Sequence, residues 1–77
     1  VKYLKDQEFM NKFGKRLKMV REAKGFSQEQ LALITNISQS QIARTELGQI
    51  NTSISHVSIY AKALKIDAMN LFDFSDL

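Results

Sequence analysis

The sequence predicts an all-α domain of five helices built around a helix-turn-helix. Three observations predict it. Apolar residues recur at helical spacing along most of the chain, with no strand-like alternation. Proline is absent from the 77 residues and glycine occurs three times, so few breakers interrupt those helices. One phrase is written twice, Phe26 to Leu31 (FSQEQL) and Ile37 to Ile42 (ISQSQI), with starts eleven positions apart. Each copy reads apolar residue, Ser, Gln, any residue, Gln, apolar residue.

The first helix follows from Phe13, Leu17 and Val20 at i, i+4 and i+7, with Phe9 or Met10 one turn earlier. It runs from about Phe9 to Lys24 and closes on Gly25 as a left-handed C-terminal residue. Residues 1–8 stand before it as an N-terminal extension, and no role attaches to Val1. The second helix starts on the first copy of the phrase. Ser27 caps it by accepting the backbone N–H of Gln30, the Gln30 amide reaches back to Ser27, and Phe26 and Leu31 form a hydrophobic staple. The second copy repeats each part for the third helix: Ser38 as cap, Gln41 as reciprocal partner, Ile37 and Ile42 as staple.

Two starts this close leave about seven residues for the second helix, then a tight turn around Asn36, which tolerates positive φ. Residues 27–48 therefore read as a helix-turn-helix, a pattern shared with short helical hairpins of other small bundles. Gly48 stops the third helix, and a polar loop, Gln49 to Ser53, follows. Ile54, Val57, Ala61 and Leu64 mark a fourth helix capped by Ser53 or Ser55. Asp67 caps a fifth, with Ile66 stapled to Leu71. The apolar tail that ends it exceeds the packing needs of a short terminal helix, so Met69, Leu71, Phe72, Phe74 and Leu77 form a plausible dimer seam. For Leu71 and Phe72, covering the first helix from within is an equal alternative.

The length suits one domain spanning residues 1–77, with no room for a second, ligand-sensing core. Cysteine is absent, so neither a disulfide nor a thiolate metal site staples so small a core, and self-association is the remaining means. One histidine, His56, supports neither a nucleophilic dyad nor a His-based zinc site, so enzymatic chemistry, metals and cofactors are not expected. No run reaches the roughly 18 apolar residues of a membrane span, and no signal-peptide pattern follows the N-terminal charges. A soluble cytoplasmic protein is the expectation. Net charge is +3, spread as +5 over residues 1–25, −1 over 26–61 and −1 over 62–77. A basic first helix thus precedes a nearly neutral body, which is either a solvated charged face or an electrostatic lead-in to a polyanion.

Two charges fall on apolar stripes. Arg21 lies four residues after Leu17, and Glu46 four after Ile42. An isolated buried charge is costly, so either both side chains escape to water or they meet as an ion pair joining the first helix to the third.

The stretch from Arg16 to Gln49, RLKMVREAKGFSQEQLALITNISQSQIARTELGQ, resembles the phage-repressor type of helix-turn-helix, the xenobiotic-response-element family. Arg21, Gly25 to Gln28, Leu31-Ala32, Ile42, Glu46, Gly48 and Ala61 to Leu64 carry the resemblance, which extends over residues 9–74. The compact length and the LFDF ending look most like controller proteins of restriction–modification systems. The resemblance implies a compact five-helix, lambda-repressor-like domain that regulates transcription, binding double-stranded DNA as a homodimer on a palindromic operator. It implies that residues 38–47 enter the major groove, that Gln39, Ser40 and Arg44 read bases, and that Gln28 and Gln41 reach phosphate.

The chemistry agrees: Gln pairs with adenine, Arg with guanine, and a helix N-terminus beside Gln28 offers N–H groups to phosphate. Asn36 stands where the family often has Gly, Thr45 where a larger apolar residue is usual, and Leu47 where a polar one is common. Leu47 either touches a thymine methyl, meets the partner subunit or stays idle. The loop 49–53 lacks basic residues, which leaves Asn51 and Thr52 to hold phosphate without charge and predicts a shallow salt dependence. Its weak charge and the apolar tail also fit a second reading, a protein-interaction module such as an antitoxin whose fold caps a protein partner.

Overall fold

Side-chain caps set the element boundaries. The computed structural model describes residues 4–77, arranged as α1 (Gln7–Ala23), α2 (Gln28–Thr35), α3 (Gln39–Glu46), α4 (Ile54–Leu64) and a closing 3-10 helix (Ala68–Phe72). No strand occurs among the described residues. α1 begins two residues before Phe9, because the Asp6 carboxylate accepts the Phe9 N–H at 3.0 Å and starts the ladder there. Gln7 and Glu8 are therefore helical and not part of an extension, while residues 1–3 of that expected extension lie outside the described residues. At the other end, Gly25 takes φ +83°. The Phe26 N–H then reaches Arg21 O and the Gly25 N–H reaches Glu22 O, both at 3.0 Å, the paired bonds of a Schellman stop.

α2 carries the full reciprocal cap: Ser27 Oγ accepts the Gln30 N–H at 3.0 Å and Gln30 Oε1 accepts the Ser27 N–H at 2.9 Å. Asn36 turns the chain at φ 64°. α3 carries only half of it. Ser38 Oγ accepts the Gln41 N–H at 3.1 Å, but the Gln41 amide turns to His56 Nδ1 at 2.9 Å instead of back to Ser38. Ser38 is exposed, whereas His56 of α4 is half-buried. Ser53, not Ser55, caps α4, accepting the His56 N–H at 3.1 Å.

The fifth element is a 3-10 helix of five residues and not an α-helix. Asp67 does cap it, but the backbone is already extended at Asp73, so the segment is too short for an α-ladder and closes with tighter bonds such as Asn70 N–H to Asp67 O at 2.9 Å. Arg16 clamps it to α1, donating to Asn70 O and Asn70 Oδ1, each at 2.8 Å.

The core draws Phe13, Leu17 and Val20 from α1, Leu31 from α2, Ile42 from α3, Tyr60, Ala61 and Leu64 from α4, and Ile37 and Leu71 from the turn and the 3-10 helix. Phe26 packs partly against it, as a staple residue should. α1 lies across α3 and the 3-10 helix, while α2 bridges α3 and α4. Gly14 makes the α1–α3 crossing close: a Cβ there would sit 2.6 Å from Glu46 O and 2.8 Å from Glu46 C, with Thr45 O nearer still. Thr45 does not loosen the inner face as its size suggests. It is 1% exposed, and its hydroxyl is satisfied by Gln41 O at 2.7 Å. Tyr60 is fully buried beside it with no hydrogen-bond partner of good geometry for its hydroxyl, and burial pushes that phenol above its ordinary pKa.

Candidate nucleic-acid interface

α3 has two unlike faces. Ile42, Thr45 and Glu46 are buried against the rest of the domain, whereas Gln39, Ser40 and Arg44 are exposed, and the following Leu47 stays 68% accessible. Ser40 and Arg44, four residues apart, share one helical ridge, with Gln39 beside it and Ala43 half-buried between. None of the three outward side chains makes a hydrogen bond within the domain among the described residues.

The buried face is anchored by charge. Arg21 Nε donates to Glu46 Oε2 at 2.7 Å and Arg21 Nη2 to Glu46 Oε1 at 3.0 Å, a bidentate pair whose side chains are 7% and 3% exposed. The third guanidinium nitrogen, Nη1, donates to Phe26 O at 2.7 Å, so one side chain ties α1, the α1–α2 turn and α3. The hydrogen-bonded carboxylate raises the Arg21 pKa against the opposing pull of burial. Glu46 Oε1 also accepts from Gln28 Nε2 at 2.9 Å. A carboxylate only accepts, so the amide nitrogen must face it, and one further N–H of Gln28 stays unspent.

The structure thus brings Gln28, Arg21 and Glu46 into one network beside α3. It places Gln41 on the other flank, where its amide nitrogen meets His56 Nδ1 at 2.9 Å. Asn51, exposed, and Thr52, half-buried, line a separate apolar groove with Phe9, Phe13, Ile54 and Phe72, away from Gln28. Of the seam residues, Met69 is 74% exposed, Leu77 47% and Phe72 38%, and Phe74 is half-buried. Leu71 is fully buried in the monomer's own core and is removed from the seam. Phe72 and Phe74 already pack within the chain, Phe72 tilted against Phe13 with centroids 5.3 Å apart and Phe74 edge-on to Phe9 at 5.2 Å.

One residue escaped the sequence reading. His56 looked idle, and its contact with Gln41 spans fifteen residues with no local signal. Lys15 and Lys18 line a groove with Gln28 and the end of α3, while Lys12 turns away to Glu8 at 3.2 Å, a pairing that its i, i+4 spacing did foreshadow.

Residues 17–69, more than half of the chain, match the helix-turn-helix family HTH_3. The chain belongs to that family. Its fold is similar to that of the restriction–modification controller protein C.AhdI from Aeromonas hydrophila, at 41% identity, with 82% of this chain and 96% of that one covered and a TM-score of 0.80. The controller C.Esp1396I, solved as a tetramer with its natural 35-base-pair operator, is 25% identical over 88% of this chain and 90% of its own, at a TM-score of 0.79. The clp gene regulator ClgR of C. glutamicum shares the fold at 20% identity, a TM-score of 0.81 and 86% coverage of both chains. No curated protein sequence matches the chain. No helix among the described residues is long and apolar enough to cross a membrane.

Proposed function

We propose that the chain is a sequence-specific, double-stranded-DNA-binding transcriptional regulator that acts by binding and not by catalysis. Its α3 lies in the major groove of a palindromic operator, and residues 1–77 work as one unit paired with a second copy at the nucleoid in the cytoplasm. The observation that carries this reading is the split surface of α3. Ile42, Thr45 and the Arg21–Glu46 pair lock one side, and Gln39, Ser40 and Arg44 stand free on the other. Arg44 pairs with guanine O6/N7, Gln39 with adenine N6/N7, and Ser40 with either purine edge. Gln28 gives its remaining N–H to a phosphate, Gln41 does so from the His56 side, and Asn51 and Thr52 serve a more distant phosphate. The solved complex of C.Esp1396I with its operator supports the DNA partner and the multimeric binding mode. The exposed parts of Met69, Phe72, Phe74 and Leu77 serve as the seam, spacing half-sites about one helical turn, roughly 34–36 Å, apart.

In-vitro selection from random duplexes tests this directly. An enriched, two-fold symmetric site is expected, and Arg44→Ala should relax preference at one base position of each half-site by about 1–3 kcal/mol. Absence of an enriched half-site, together with unchanged binding by Arg44→Ala, would reject the assignment. Copurification with a specific protein partner and no duplex affinity would favour the interaction-module alternative.

A further inference from the structure

A groove of about 490 Å³ runs between α1 and the C-terminal half of α3, and Gln28 is among the residues that line it. Asn11, Lys15 and Lys18 form the α1 wall, and Ala43 and Leu47 form the α3 wall. Resting on the DNA-binding reading, we propose that this groove seats a backbone phosphate of the duplex flanking α3, and that Lys15 and Lys18 supply the charge that holds it.

Position comes first. Half-buried Ala43 and exposed Leu47 lie three and seven residues after Ser40, on the same side of α3, so a duplex that takes α3 into its major groove brings one sugar–phosphate strand along this wall. Charge comes second. Lys15 and Lys18 are exposed and neither has a carboxylate within 4.0 Å among the described residues, although Glu22 follows Lys18 on the same helix. Lys12, one turn earlier, is already paired with Glu8 and lies on a different flank beside Asp6 and Phe74.

The groove also contains a carboxylate, Glu46, which would repel an anion if it were free. It is bound by both forks of Arg21 and by Gln28, so its charge is neutralised where it stands. Gln28 meanwhile keeps a second amide N–H beyond the one given to Glu46. Loop 49–53 has no basic residue, and Arg44 is the sole Lys or Arg between residues 26 and 61. The electrostatic grip on the strand is therefore one-sided, and α1 carries it.

The test measures dissociation constants against salt for the intact chain and for Lys15→Gln, Lys18→Gln and Lys12→Gln, on the selected operator and on an unrelated duplex. Each of the first two substitutions should reduce the log–log slope by about 0.9, so that affinity falls about 3.5-fold less across a fourfold rise in salt. The loss should be the same on both duplexes, base preference should be retained, and Lys12→Gln should leave the slope unchanged. Slopes equal to the parent's for Lys15→Gln and Lys18→Gln overturn the site. An equal loss for Lys12→Gln overturns it too, since diffuse charge would then explain the effect. If those slopes fail to move while Arg44→Ala still erases operator preference, the regulator reading survives and the phosphate seat falls. Absence of duplex binding at any salt sinks both.

Discussion

Glu46 shows how one side chain serves two purposes. Its carboxylate accepts three N–H bonds, two from Arg21 and one from Gln28, inside a nearly dry site. Replacing it by Gln turns an acceptor into a group that also donates and leaves the Arg21 guanidinium buried without a counter-charge. Glu46→Gln should lower stability by about 3–5 kcal/mol, read as a large drop in melting temperature. Against a typical total of roughly 5–15 kcal/mol, that is enough to threaten folding at moderate temperature. An unchanged melt would show that the pair contributes nothing. The ion pair was legible in the sequence because both charges interrupt helical apolar stripes, a conflict that few arrangements resolve. The Gln28–Glu46 and Gln41–His56 bonds were not legible. Each joins polar residues of different helices, 18 and 15 positions apart, and no periodicity marks which polar neighbours will meet.

At the scale of the elements, the starts of the helices were the easiest features to read, since Ser27, Ser38, Ser53 and Asp67 act on N–H groups two or three residues away. The beginning of α1 was missed because Asp6 caps it before the apolar pattern begins, and the last element was misread because capping signals are the same for α and 3-10 turns. The closeness of the α1–α3 crossing left a glycine as its trace. At Gly14, intrinsic propensity and packing oppose each other. Alanine favours an isolated helix by about 1 kcal/mol. Its Cβ would nonetheless collide with backbone atoms of Thr45 and Glu46, which cannot rotate aside. Packing should win: Gly14→Ala is expected to destabilise the domain by about 1–3 kcal/mol in denaturant melts. A variant more stable than the parent would mean that α1 stands further from α3 than described.

For the molecule as a whole, the open question is what covers its remaining apolar surface. Phe72 and Phe74 are partly spent on Phe9 and Phe13, so Phe74→Asp would damage the monomer as well as any contact between copies. Met69, three-quarters exposed, separates the two effects. Met69→Asp should shift sedimentation from dimer to monomer while leaving the unfolding free energy of the monomeric fold within about 0.5 kcal/mol of the parent. A dimer that persists excludes the tail as the seam. The tail illustrates a limit of sequence reading: an apolar run announces burial but not whether its cover comes from within, as for Leu71, or from another copy. The outward ridge of α3 has the opposite property. Gln39, Ser40 and Arg44 are exposed and hold no other part of the domain in place, so, on the proposed DNA-binding reading, this scaffold could be retargeted to new operators by exchanging three side chains, much as a lock is rekeyed without rebuilding the door.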